Sequence, residues 1–85
     1  MSGSKEVSIL MDVGTMLMLE GKYDDAMKVF MENRKTFPGE PETCNALGRV
    51  YLAQGNFPGS MTEFQKTIGM EPGNIEAIEF LRHFH

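Results

Sequence analysis

The sequence predicts an all-α protein, a helix-turn-helix repeat array of about five helices in a single domain over residues 1–85. Three features carry that prediction: the chain aligns with itself at an offset of 34 residues, apolar residues recur at three-and-four spacing, and glycine and proline punctuate both copies in one register. At that offset residues 7–40 fall on residues 41–74, and six pairs are identical: Gly14/Gly48, Gly21/Gly55, Met27/Met61, Phe30/Phe64, Pro38/Pro72 and Gly39/Gly73. Average composition would give roughly two by chance. Val13/Leu47, Met18/Leu52, Tyr23/Phe57 and Ala26/Ser60 add conservative matches, and residues 75–85 remain as an eleven-residue remnant.

Each element follows from its residues. In the first helix (7–20) Leu10, Val13 and Leu17 form a core stripe. Gly21 ends it, and Asp24 and Asp25 are suited to cap and charge the next helix (24–37), whose core stripe is Ala26, Met27 and Phe30. Pro38-Gly39 stops that helix, because proline cannot continue it and glycine supplies the turn. Pro41 opens a third helix (41–54), Gly55-Asn56 turns the chain, and a fourth helix runs over 58–70 to the stop at Glu71-Pro72-Gly73. Asn74 reads as the N-cap of a last helix over 75–84.

Gly14 and Gly48 sit inside helices, where each costs about 1 kcal/mol against alanine. A close approach of the following helix accounts for both, with Tyr23 and Phe57, or Phe30 and Phe64, filling the space. Gly59 is expected to tolerate alanine with far less loss than Gly48 tolerates a bulky side chain.

Composition narrows the function. An apolar fraction of 41% and a charged fraction of 24% fit a globular domain and argue against disorder or a membrane span. Twelve acidic against eight basic side chains give a net charge of −4, a field that repels nucleic acid and anionic lipid. The N-terminal stretch shows neither an arginine-rich presequence nor a cleavage motif, so the expected setting is cytoplasmic.

The punctuated 34-residue unit resembles the tetratricopeptide repeat family. Leu47-Gly48, Tyr51, Gly55, Phe57, Ser60 in place of the usual alanine, Phe64 and Pro72 carry the likeness in the second unit. Val13-Gly14, Gly21, Tyr23, Ala26, Phe30 and Pro38 carry it in the first, where Leu17 replaces an aromatic. The resemblance implies a right-handed α-solenoid whose concave face, lined by the first helix of each pair, holds a protein or peptide segment. On that mapping the partner-binding face comprises Met11, Thr15, Met18 and Leu19, then Asn45, Arg49, Leu52 and Ala53 beside Glu42, then Glu76, Glu79 and His83. The clamp with which some family members grip acidic chaperone tails is disfavoured. Met11, Thr15, Glu76 and Phe80 stand where its cations and amide belong, and the carboxylates of Glu42, Glu76 and Glu79 repel such a tail.

Catalysis is not expected. Cys44 aligns with Leu10, a core position, and reads as a buried, inert thiol. His83 and His85 diverge by about 200° on a helix, which suits a solvated terminus better than a metal site. Asp24-Asp25 reads as a helix-start device, no phosphate loop or Ser-His-Asp set is present, and no cofactor or metal is called for. Met27 and Met61 lie on the core stripe with Phe30 and Phe64, whereas Met11 and Met18 fall on the concave side and are assigned to binding.

The ends look adhesive. The first helix is apolar on nearly every side and should keep one open flank. At the other end Ile78 and Leu81 would pack back on the second unit, leaving Phe80 and Phe84 uncovered. Arrays need polar terminal caps, so the chain is expected to be part of a longer array, or covered at its ends by another copy or a partner. The function expected is an adaptor that binds a segment in the concave groove with no chemistry of its own. The alternatives are a self-assembly module, dimeric or stacked, and a small chaperone dedicated to one aggregation-prone protein. Contacts mapping instead to the convex face around Lys28, Glu32, Glu63 and Lys66 would contradict the groove.

Overall fold

Five α-helices in chain order make up the fold: α1 (Ser2–Leu19), α2 (Tyr23–Thr36), α3 (Pro41–Ala53), α4 (Phe57–Met70) and α5 (Ile75–His83). The computed structural model describes residues 2–83, and the side chains of residues 9–83. Among these no strand occurs. Phe84 and His85, read above as an uncovered aromatic and a solvated end, lie outside the described residues.

The turns explain the helix limits. Gly21 and Gly55 alone among the described residues have positive φ, +80° and +79°. In each turn the glycine N–H bonds the carbonyl three residues back, and the next N–H reaches five residues back, Lys22 to Leu17 at 2.9 Å and Asn56 to Tyr51 at 2.8 Å. That is the Schellman pattern, which needs a left-handed residue. Pro41 opens α3 and Asn74 caps α5, its Oδ1 accepting from Ala77 N at 3.0 Å. Three starts differ from expectation, the first being α1, which begins at Ser2 and not at residue 7. α2 begins at Tyr23, so Asp24 and Asp25 sit inside its first turn, where their charge complements the positive end of the helix dipole without capping. α4 begins at Phe57 because Asn56 is its cap, accepting from Gly59 N at 3.0 Å.

Each helix packs chiefly on its neighbours in sequence, and α1 also touches α3. One apolar cluster joins Ala26 and Phe30 of α2 to Ala46, Leu47 and Val50 of α3, with Met11, Leu17, Met18, Tyr23 and Met27 around it. The other joins Phe64, Ala77 and Phe80, with Leu52, Met61, Ile68 and Leu81 around it. Of the two pairs of aromatics offered for the helix glycines, Phe30 and Phe64 fill the role: a methyl on Gly14 would overlap the Phe30 ring, and one on Gly48 would lie 2.6 Å from Phe64 Cε2. Ser60, at the Ala26 position, adds a hydrogen bond of 2.6 Å to the Gly48 carbonyl.

Two packing expectations are overturned, and a third position is more crowded than the sequence suggests. Phe80 is buried, stacked on Phe64 with ring centroids 4.4 Å apart, because α5 turns this face inward. Val13 lies 42% exposed, since α1 has no helix on its outer side. Gly59 is not a permissive site either: a methyl there would come within 2.9 Å of Tyr51 Cγ and 2.8 Å of the capping Asn56 amide.

Candidate binding face

The residues proposed for partner binding lie on α1, α3 and α5, yet the structure spends several of them internally. Asn45 is buried, donating from Nδ2 to Asn74 Oδ1 at 2.9 Å, and so ties α3 to the cap of α5. Arg49 Nη1 binds both oxygens of Glu76 at 2.8 and 2.9 Å. The cation expected to meet a partner is thus already paired, and its mate Glu76 is one of the three carboxylates expected to repel an acidic tail. Met11 and Met18 pack on the first apolar cluster, and Met11 Sδ lies 3.9 Å from the Thr43 hydroxyl, which points at it. Leu52 packs on the second cluster.

What remains accessible is narrower than the sequence reading. Leu19 is 78% exposed. Thr15, Met18 and Leu52 are half-buried, while Ala53, Glu42, Glu79 and His83 are exposed. Met18 with Leu52, and Leu19 with Ala53, are the 34-residue equivalents, so two adjacent turns of α1 and α3 present a matched apolar edge. Glu79 lies 3.8 Å from Arg82, a long contact between two solvated side chains.

Two further surfaces differ in detail from the sequence reading. Ile9, Val13 and Met16 lie at i, i+4 and i+7, and form an exposed apolar stripe on the outer side of α1. The sequence announced an open flank through the all-round hydrophobicity of this helix, but Val13 was placed on the wrong side. At the opposite end Ile68, Pro72, Ile78, Leu81 and Arg82 line an open groove of about 410 Å³. Ile78 and Leu81 were expected to be the inward pair, and the burial of Phe80 turns part of their surface outward.

The residues that the sequence reading assigns to a convex face also differ from expectation. Glu63 is buried, with Arg34 Nη1 at 2.8 Å and Lys66 Nζ at 3.6 Å, so this carboxylate bridges α2 and α4 and is not a surface charge. A buried carboxylate persists only when paired. Cys44 lies nearby, buried, with its thiol pushed up from the ordinary cysteine value by desolvation first and the Glu63 carboxylate second, against a smaller opposing pull from Arg34. A thiol held protonated and covered is a poor nucleophile. Among the described residues no three His, Cys, Asp or Glu side chains group to hold a metal ion, and no helix is long and apolar enough to cross a membrane. The chain matches no family model, and no curated protein matches it.

Proposed function

We propose that the chain is a non-catalytic adaptor, a short tetratricopeptide-like array of right-handed superhelical form, which holds a protein segment on the face shared by α1, α3 and α5. One observation supports it most: apolar side chains recur at equivalent positions of α1 and α3, and the outermost, Leu19, is 78% exposed. Isolated exposed leucines are common, but a matched row on adjacent helices is the kind of surface that gains from desolvation by a partner. Glu42 and Glu79 at the exposed margin favour a segment with a basic end, and the −4 charge disfavours nucleic acid and anionic membranes as partners. The setting proposed is cytoplasmic.

Affinity should be micromolar, because ordering a flexible peptide offsets much of the gain from so small a face. The test is titration of a peptide recovered by pull-down against Leu19→Glu and Leu52→Gln variants. Leu19 is the cleaner probe because Leu52 also packs on the second cluster, so circular dichroism checks the fold of each variant. Binding weakened at least tenfold in folded variants would support the groove, and unchanged binding would refute it. Self-assembly stays as a second reading because the α1 flank is apolar and open, and sedimentation over a concentration series tests it.

A further inference from the structure

The outer flank of α1 has an internal template that says what would cover it. Under the 34-residue correspondence Ile9, Val13 and Met16 fall on Thr43, Leu47 and Val50 of α3. Those three are fully buried, and α2 buries them: Ala26 and Phe30 cluster with Leu47 and Val50, and Asn33 Nδ2 donates to Thr43 Oγ1 at 2.8 Å. The same helix face is therefore covered in one unit and bare in the other.

The other end of the molecule is not receptive in this way. The position that is glycine in α1 and α3, and that admits Phe30 or Phe64, is Arg82 in α5. An aromatic from a further helix has no notch to enter there.

Charge decides the occupant. Asp24 of α2 receives a hydrogen bond from Gln54 Nε2 at 3.3 Å, and the counterpart of Gln54 beside the bare flank is Glu20. Asp12 takes the place of the fully buried Ala46. A helix seated on α1 as α2 sits on α3 would meet two carboxylates where α2 meets an amide and a methyl. A second copy offering its own α2 would bring Asp24 and Asp25 against Glu20, and two α1 flanks paired about a two-fold axis would bring their Asp12 side chains together, with like charges opposed in both cases. We infer that the α1 flank is a docking site, separate from the groove, for an amphipathic helix of another protein. That helix carries a small and an aromatic residue four apart in its apolar stripe, and basic residues in the turn that faces Glu20.

The probe is a synthetic helix with the sequence of residues 22–37, stapled through positions 28 and 32, which are exposed in α2. One version keeps Asp24, and the other carries Asp24→Lys. Binding to the full chain is followed by amide spectra at low salt. The expected result is that shifts centre on Ile9, Val13 and Met16 and that the lysine version binds about fivefold tighter, the size of a surface charge reversal. Glu20→Gln should erase most of that gap. Val13→Gln should weaken both peptides, with Met16→Gln as the second variant and circular dichroism as the check on folding. Shifts confined to Leu52 and Glu79, or absent, would overturn the inference while leaving the groove reading standing. Peptide-independent dimerisation through α1 would overturn it in favour of a second copy.

Discussion

α1 and α3 hold equivalent places in the two repeat units and live in different surroundings. Both are notched by a glycine under a phenylalanine ring. α3 is clasped from two sides, by α2 and α4, and buries an unbroken run from Thr43 to Gly48. α1 is held from one side only and leaves Ile9, Val13 and Met16 in solvent. Burial in a repeated unit is thus set less by the residue than by whether a neighbour exists on each side, which is why matching positions can serve as core in one helix and as surface in the other.

The largest effect expected in a test of this contrast is at the far edge, where Phe80→Ser removes the ring stacked on Phe64 and should cost about 3–5 kcal/mol in urea denaturation. A change under 1 kcal/mol would mean that α5 is not part of the core. Next, Leu47→Ala should cost about 2–5 kcal/mol and its counterpart Val13→Ala less than about 1 kcal/mol, given its exposure. Similar losses at both would erase the comparison.

Smaller still, Gly48→Ala should destabilise by about 1–3 kcal/mol through contact with Phe64, and Gly14→Ala by less. α1 is free to shift outward from the Phe30 ring, whereas α3 is held on both sides. Equal melting-temperature drops would show that α1 is as constrained as α3. The mildest test concerns Cys44. Its thiol is pushed above the ordinary value of about 8.5, so the folded state keeps the proton after the unfolded state has released it. Stability should therefore decline as pH rises past about 8.5 and change little with this group below it. A Cys44→Ala variant would lack that decline. Native-state alkylation should be slow at Cys44 and faster at Leu10→Cys in the Cys44→Ala background, because Leu10 is only half-buried. Equal rates would count against the difference in covering.

Much of this fold is legible in the sequence. Gly21 and Gly55 announce turns because only glycine takes their φ without strain, and Pro41 and Pro72 bracket helices because proline has no N–H to give. The glycine–phenylalanine notches are legible as repeated helix-breaking residues that require compensation. Other features depend on partners that periodicity does not reveal. Asn45 reads as a surface amide until Asn74 is brought beside it, and Arg49 as a free cation until Glu76 arrives from a residue 27 positions away. The burial of Phe80 is hidden from periodicity for a related reason. In a nine-residue helix apolar on several sides, Ile78, Phe80 and Leu81 compete for the inner face, and the Phe64 ring decides it. Val13 is the opposite case, a residue with core-like spacing and nothing to pack against.

The polar ties across the unit boundary have a consequence for how the molecule opens. Asn33 to Thr43, Arg34 to Glu63, and Arg49 to Glu76 join α2, α3, α4 and α5, and none of these three ties reaches α1. Among the described side chains of α1 the one polar tie to another helix is the weak contact of Thr43 with Met11, and the helix packs on one side. Its amides should therefore exchange with solvent through local detachment, while the middle amides of α3 wait for global unfolding. The helix with the bare flank is then also the helix that the protein can release and recapture without coming apart.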